Sequence, residues 1–231
     1  MKRIAYWSFC LSTVLLLAAF ALTTTGCGSS STQIRFVHAG DNDGNVDFLI
    51  DTKTVSTNIP YANSTGYNKT SSGSRTIEVR PTGSTTDLVN SDVTLGGGTF
   101  STGVLNNING TQPTLSVYTD DHKAPPSGQA ALRFIHAATN AQNIDIYIIT
   151  PGQGIVGLSP TISNVTFPSS AGPKDLTAGS YEVVITSAGT QNIIIDSGSA
   201  SPIILTAGQI KTFIAIDNLG NAPFLILSDV N

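Results

Sequence analysis

Apolar and polar residues alternate with a period of two in several short segments, which predicts β-strands rather than helices. The alternation is regular at residues 75–80, where Ile77 and Val79 have polar neighbours, and it recurs at 34–39 and 46–50. Clusters of Gly, Pro, Asn and Ser separate such runs by roughly 8–12 residues, the spacing of short strands in an all-β protein. Further runs rich in Val and Ile lie at 182–186, 193–196, 203–205 and 210–216.

An internal repeat indicates the domain organisation. Residues 34–51 and 132–149 align without a gap at an offset of 98, and eight of the 18 positions are identical. Similarity continues between residues 73–83 and 179–189, and the extra residues of the second copy fall in loops rich in Gly and Pro. The identical pairs are Arg35/Arg133, Phe36/Phe134, His38/His136, Ala39/Ala137, Asn42/Asn140, Asn45/Asn143, Asp47/Asp145 and Ile50/Ile148.

The repeat predicts two tandem domains, at 32–121 and 130–231, joined by a linker at 122–129. About seven short strands in roughly 100 residues suit an immunoglobulin-like β-sandwich. Neither copy has the Cys pair and core Trp of a true immunoglobulin domain. The predicted fold class is therefore two tandem immunoglobulin-like sandwiches after an N-terminal signal segment, and it concerns architecture alone.

The first 26 residues have the pattern of an export signal. A short basic region precedes an uncharged apolar stretch at 4–22, and Gly26 and Cys27 follow. A Cys after a small residue at this place resembles the bacterial lipobox, in which the Cys is acylated and becomes the new N-terminus. We therefore expect a lipoprotein signal peptide at 1–26, palmitate on Cys27 and a tether at 27–31. An ordinary secretion signal and an uncleaved transmembrane anchor are the alternatives.

Composition narrows the range of functions. Charged residues are only 11% of the chain, with 15 acidic and 11 basic side chains and a net charge of −4 at pH 7. Such a chain lacks the excess of basic residues that nucleic-acid-binding proteins have, so we expect no nucleic-acid partner. Its two Cys residues are Cys10, within the apolar stretch, and Cys27. Once the signal is removed and Cys27 acylated, no thiol remains for a disulfide, a Cys-zinc site or catalysis, and we expect no cofactor.

Each repeat carries one candidate constellation for chemistry. It consists of Arg35, His38 and Asp47 in the first copy and Arg133, His136 and Asp145 in the second. A His beside an Asp can act as a base, a metal ligand or a pH switch. His38 shares its strand parity with apolar neighbours, however, which predicts a structural, inward-pointing His with a strand-crossing hydrogen bond. On that interpretation Arg35 pairs with Asp47 on the other face, and one His with one carboxylate is too few for a catalytic zinc.

Two further patterns each have a structural interpretation, which we favour, and a ligand site as the alternative. Residues 41–47 place Asp and Asn around Gly44, which resembles a calcium-binding turn, although the register of an EF-hand fails and an ordinary Asx-rich turn is the favoured interpretation. Tyr61, Tyr67 and Tyr118, with many Ser, Thr and Asn residues, could form a sugar-binding face, although ordinary packing is the favoured interpretation.

Two sequence blocks resemble a known family. The blocks RFVHA at 35–39 and GSRTIEVRP at 73–81 are distinctive together, and they resemble the bacterial family of domains of unknown function numbered 4397. The resemblance covers nearly the whole chain after Cys27. It implies exported, often lipid-anchored proteins with tandem β-sandwich domains, and it implies no established reaction.

These patterns predict a non-catalytic, lipid-anchored cell-envelope protein that acts as a structural or binding module. The alternatives are a surface adhesin for carbohydrate or peptide, and an envelope enzyme that uses His38 and His136. The expected partners are the membrane, through N-terminal acyl chains, and a cell-surface polysaccharide or protein. Gly28 replaces the Asp that is associated with inner-membrane retention, which favours the outer membrane or the cell surface.

Overall fold

The structure, a computed structural model, describes residues 30–108, 112–120, 123–217 and 224–229. Every regular element within these ranges is a β-strand, so the predicted all-β class is confirmed. The predicted signal peptide and Cys27 lie outside the described residues. None of the described residues forms a helix of the length and hydrophobicity that a membrane span requires.

The first nine strands form two sheets. One has the order β4-β1-β8-β9, with β5 also pairing with β1, and the other has the order β3-β2-β6-β7. Strands β1 and β8 run parallel, and the other pairs are antiparallel. The strands are β1 (Ser31–Ala39), β2 (Val46–Ile50), β3 (Lys53–Ile59), β4 (Asn63–Ser64), β5 (Asn68–Ser71), β6 (Gly73–Pro81), β7 (Val89–Leu95), β8 (Phe100–Ile108) and β9 (Gln112–Asp120).

The remaining nine strands repeat this arrangement. One sheet has the order β13-β10-β17-β18, with β10 and β17 parallel, and the other has the order β12-β11-β14-β15, with β16 also pairing with β14. The strands are β10 (Gln129–His136), β11 (Ile144–Ile149), β12 (Ile162–Val165), β13 (Ser169–Thr177), β14 (Gly179–Ser187), β15 (Ile193–Asp196), β16 (Ile203–Leu205), β17 (Ile210–Ala215) and β18 (Phe224–Ser228).

Each sandwich has its own apolar core between its two sheets. In the first, Phe36 stacks on Phe48 across the sheets with ring centroids 4.6 Å apart. In the second, Phe134 and Phe213 lie on neighbouring strands with ring centroids 5.7 Å apart. These cores follow from the period-two alternation, because residues of one parity on each strand point to the same face of the sheet.

A third apolar cluster joins the two sandwiches. It is formed by the opposite parity of the central strands, so that the outward face of β1 and β8 packs on the outward face of β10 and β17. We call this region the inter-sandwich contact. Its buried apolar residues are Val37, Ala39 and Val104 of the first sandwich and Ile135, Ala137, Ile214 and Ile216 of the second.

Candidate functional site

Two arginines and two aspartates form a buried network within the inter-sandwich contact. Arg35 Nη2 lies 2.5 Å from Asp229 Oδ1, and Arg133 Nη2 lies 2.6 Å from Asp120 Oδ1. Each arginine thus bonds an aspartate of the other sandwich, and the aspartate of its own sandwich is farther away, at 3.7 and 4.0 Å. Both carboxylates are 0% exposed, so the four charges neutralise one another away from water.

Two threonines link these charges and are placed by strand register. Thr102 Oγ1 accepts a hydrogen bond from Arg35 Nε at 2.9 Å and donates one to Asp120 Oδ1 at 2.8 Å. Thr212 Oγ1 accepts from Arg133 Nε at 3.1 Å in the same way. The parallel pairings set each arginine beside its threonine, so the sheet itself orients the guanidinium. Such a site can fix the orientation of one sandwich on the other.

Thr102, Thr212, Asp120 and Asp229 were not among the predicted site residues. A signal for them exists in the repeat. The threonines are 110 residues apart and the aspartates 109, close to the offset of 110 between Leu95 and Leu205. At these offsets both copies carry the same polar residue type at each position, Thr102 with Thr212 and Asp120 with Asp229.

The tyrosines of the candidate sugar-binding face lie at the inter-sandwich contact. The Arg35 guanidinium lies 4.9 Å from the ring centroid of Tyr67, whose hydroxyl donates to a carboxylate of the buried network at 2.5 Å. The Tyr61 hydroxyl donates to the backbone carbonyl of Asp217 in the second sandwich, and Tyr118 packs in the apolar cluster. Burial raises the pKa of Tyr61 and Tyr67, which keeps both hydroxyls protonated as donors. The tyrosines therefore serve packing, the interpretation that the sequence favoured, and the alternative of a sugar-binding face is wrong.

Both motif histidines point into their own sandwich and hold a loop. His38 Nε2 donates to the Gly44 carbonyl at 2.6 Å, and its Nδ1 accepts from the Gly40 backbone N–H at 3.3 Å. His136 Nε2 donates to the Gln142 carbonyl at 2.8 Å. The bond runs to a loop carbonyl six residues ahead in each copy, rather than across strands as predicted. Each His therefore fixes the connection that leads from one sheet of its sandwich to the other.

Acid is expected to destabilise the protein through His38 and His136. Burial lowers the pKa of both below the ordinary 6.5, although the loop carbonyl and a nearby carboxylate, Asp43 or Asp217, oppose the shift. The unfolded chain then binds protons first, so the stability contributed by neutral His is complete above pH 6.5 and is lost as the pH falls towards the folded pKa. The loss is at most about 1.4 kcal/mol per pH unit and per histidine.

Thermal unfolding at about pH 7.5 and about pH 5 tests this expectation. The wild type should melt at a lower temperature in acid, and His38→Gln/His136→Gln should show a smaller decrease. His122, the third histidine, is present in both proteins, so its titration cannot cause a difference between their decreases in melting temperature. Equal decreases would exclude the two buried histidines as the source, and the raised pKa of Asp43 acts in the opposite direction.

Asp47 and Asp145 hold irregular positions of the neighbouring strands β3 and β12, where the pairing register shifts. Asp47 Oδ1 accepts from the Asn58 backbone N–H at 2.8 Å, and Asp145 Oδ1 accepts from that of Asn164 at 2.7 Å. Both asparagines have left-handed backbone, with φ of 56° and 54°, which Asn tolerates better than most residues. The predicted pairing of Arg35 with Asp47 is therefore wrong. Strands β1 and β2 lie in different sheets, so their outward side chains point to opposite sides of the sandwich.

The acidic residues of the candidate calcium-binding turn diverge. Asp41 Oδ1 accepts from the Asn42 side chain at 2.8 Å, and Asp43 Oδ1 accepts from the Asn107 side chain at 2.8 Å. Asp47 binds the backbone of Asn58 in β3. Among the described residues, no three His, Cys, Asp or Glu side chains come together as a group that could hold a metal ion.

An open cleft of about 820 Å³ lies on the second sandwich. It runs between the β10–β11 loop, the exposed strand β15 and the end of β17. Its lining combines amide and carboxyl side chains with small and aliphatic ones, which suits a neutral polar ligand. We call it the amide cleft, and its polar side chains are Asn140, Gln142, Asn143, Asn164, Ser187 and Asp217.

Comparison with protein families gives one match. The model described as Domain of unknown function (DUF4397) matches residues 32–147, which is half of the chain. The matched region contains the first sandwich and continues into β11, so it includes both Arg35 and Arg133. The predicted family resemblance is confirmed. No curated protein matches the chain.

Two solved structures align with most of the chain at low similarity. A family 26 carbohydrate-binding module from Eubacterium rectale Amy13K, in complex with maltoheptaose, aligns over 87% of this chain and 98% of its own, with 9% identity and a TM-score of 0.26. A proposed adhesin from Bacteroides ovatus aligns over 87% and 92%, with 10% identity and a TM-score of 0.21. Both TM-scores are too low to carry an inference about function.

Proposed function

The chain belongs to the DUF4397 family, and from this premise we propose that it is a non-catalytic, lipid-anchored module of the cell envelope whose two sandwiches act as one rigid body. The observation that carries the proposal is the reciprocal bonding of Arg35 to Asp229 and of Arg133 to Asp120. A buried, fully paired ion network adds little net stability, but a different packing of the sandwiches would break the two short contacts between them. The network thus favours one relative orientation.

The positions of the motif residues support a structural role. Arg35 lies at the inter-sandwich contact, His38 binds a loop carbonyl within its sandwich and Asp47 holds the backbone of β3 in the opposite sheet. The second copy repeats this separation with Arg133, His136 and Asp145. A His–Asp catalytic pair needs the two side chains within hydrogen-bond reach, so this separation favours a module without an enzymatic reaction.

The proposed anchor is Cys27, three residues before the first described residue, Ser30. Acyl chains contribute about 0.8 kcal/mol for each CH2 group buried in a bilayer, so more than one chain holds a protein at a membrane stably. Gly28 favours the outer membrane or the cell surface as the location. The sandwiches would then stand directly on the membrane, where an envelope polysaccharide or protein is the expected partner.

Intact-mass measurement of the membrane-extracted protein tests the anchor. We expect a chain that begins at Cys27 and carries acyl groups, and we expect Cys27→Ala to lack this modification. A full-length mass would instead indicate a retained N-terminal helix, and an unmodified shorter chain would indicate simple secretion. Either of these results would overturn the lipid-anchored part of the proposal.

A second candidate function is binding of a neutral carbohydrate or peptide, and the amide cleft is the observation that favours it. Gln142 and Asn140 are exposed in its lining and are the simplest side chains to remove. Binding to envelope polysaccharide fragments should fall several-fold in Asn140→Ala/Gln142→Ala, since each lost hydrogen bond costs about 0.5–1.5 kcal/mol. Asn192→Ala, exposed outside the cleft, is the matched control. Equal binding by both variants would exclude the amide cleft.

A further inference from the structure

A second cleft, of about 520 Å³, lies on the first sandwich and is lined by positive side chains. Lys53 on β3, Lys69 on β5 and Arg75 on β6 contribute the cations, and we call it the basic cleft. Asp51 also lines it and pairs with Arg75 at 2.8 Å. Neither lysine has a carboxylate within ion-pair distance in the described ranges. The cleft is thus net positive in a chain whose net charge is −4.

The basic cleft lies where the chain enters the first sandwich. Ser31 lines it, and the Ser30 carbonyl accepts from the Ser72 backbone N–H at 2.9 Å, next to Ser71 of the lining. An extended chain spans at most about 3.6 Å per residue, so the Cα of Cys27 lies within about 11 Å of that of Ser30. This distance is close to the Debye length at physiological salt, about 8 Å. A membrane that holds Cys27 is therefore within electrostatic range of the cleft.

We propose that the basic cleft docks on the anionic phospholipid headgroups of the membrane that holds Cys27. The inference rests on the proposed lipid anchor. The ammonium groups of Lys53 and Lys69 carry donors for phosphate oxygens. Each Lys or Arg near an anionic bilayer surface increases the partitioning of a protein onto that surface about fivefold. Docking would hold the first sandwich against the bilayer instead of leaving it free on a short tether.

Phospholipid is favoured over other polyanions for two reasons. The acidic remainder of the chain repels a long polyanion such as nucleic acid, whereas headgroups meet only the surface that faces them. The tether from Cys27 to Ser30, with only two residues between them, also brings a membrane, and nothing else that the sequence specifies, within reach of Lys53 and Lys69.

Chemical acetylation of lysines, measured by mass spectrometry, tests the docking. The sample is the mature protein that begins at the acylated Cys27. Acetylation rates are compared in neutral detergent, in phosphatidylcholine vesicles and in vesicles of phosphatidylcholine and phosphatidylglycerol. We expect Lys53 and Lys69 to react about fivefold more slowly on the phosphatidylglycerol vesicles and to recover in high salt. Lys174 and Lys211 of the second sandwich are internal controls and should react alike in all three conditions.

Two variants change the charge of the cleft at partly exposed positions. Asp51→Asn removes its carboxylate and should strengthen the protection of Lys53 and Lys69, whereas Arg75→Gln should weaken it, each about fivefold. Equal reactivity of Lys53 and Lys69 in phosphatidylglycerol vesicles and in detergent would overturn the inference. Equal protection on vesicles with and without phosphatidylglycerol would also overturn it, because it would show only that the lysines lie near a bilayer.

The inference and the proposed anchor fail in different ways. If Cys27 carries no acyl chain, its mass shows this, and the anchor is wrong whatever the lysines do. The unanchored protein then tests the basic cleft by flotation with phosphatidylglycerol vesicles, and absence of salt-dependent flotation overturns the docking.

Discussion

Arg35→Met is expected to lower the free energy of unfolding by about 3–5 kcal/mol, because it removes one partner of a buried ion network. The Asp229 carboxylate, 0% exposed, would lose its 2.5 Å contact and remain buried with an uncompensated charge. Methionine has the length to fill the space of the arginine side chain, so the loss reports charge rather than a large cavity. Chemical denaturation followed by fluorescence or circular dichroism measures the effect.

Arg75→Met is the matched control for this substitution. Arg75 pairs with Asp51 at 2.8 Å, but the two side chains are 28% and 45% exposed. Exposed pairs of this kind contribute about 0–1 kcal/mol. If Arg35→Met and Arg75→Met cost the same free energy, the network at the inter-sandwich contact is not the fixing element that we propose.

Because each arginine bonds the aspartate of the other sandwich, double variants can test the assignment of partners. Adding Asp229→Leu to Arg35→Met removes one complete pair and leaves Arg133 with Asp120 at 2.6 Å. Adding Asp120→Leu instead leaves Arg133 with only the more distant Asp229, at 4.0 Å. The first double variant should therefore recover more stability than the second. The reverse order would contradict the assignment of partners.

Val37→Asp is expected to separate the two sandwiches while each keeps its own core. Val37 is 0% exposed and lies in the apolar cluster of the inter-sandwich contact, on the face of β1 that is turned away from Phe36. An ionised carboxylate there costs several kcal/mol unless the contact opens to water. Small-angle scattering should show a larger radius of gyration, and calorimetry should resolve two transitions in place of one.

Val156→Asp makes the same chemical change at a position that is 88% exposed, so it should leave scattering and melting unchanged. Circular dichroism of Val37→Asp should retain its strand signal, because the substituted side chain does not enter either sandwich core. An unaltered radius of gyration with a single transition would mean that the contact tolerates the charge. The interpretation of the two sandwiches as one rigid body would then fail.

The sequence predicts the sandwich cores better than it predicts the contact between them. The alternation at residues 75–80 predicts the inward side chains of β6, and the repeat predicts the equivalent strand β14. Strand β13 was not predicted, since its sequence contains Gly172 and Pro173 and lacks an apolar alternation. It forms because β10 supplies a partner along its length, which is information that a local window does not hold.

The partner of Arg35 could not be predicted from local pattern because it depends on how two folded bodies meet. A prediction from the local pattern pairs Arg35 with Asp47, the nearest motif carboxylate, but β1 and β2 lie in different sheets of the sandwich. One clue was present. Strand β1 carries Val37 and Ala39 on the face opposite Ile34 and Phe36, and apolar residues on both faces indicate a strand that is covered on both sides.

The reciprocal contacts have the symmetry of an isologous homodimer within one chain. Arg35 bonds the Ser228 carbonyl and Arg133 bonds the Thr119 carbonyl, so each half contributes the same surface to the other. Joining two such halves covalently replaces association between separate molecules with an effective concentration in the millimolar range. Assembly of the pair therefore does not depend on how many copies of the protein a cell makes, and dilution cannot dissociate it.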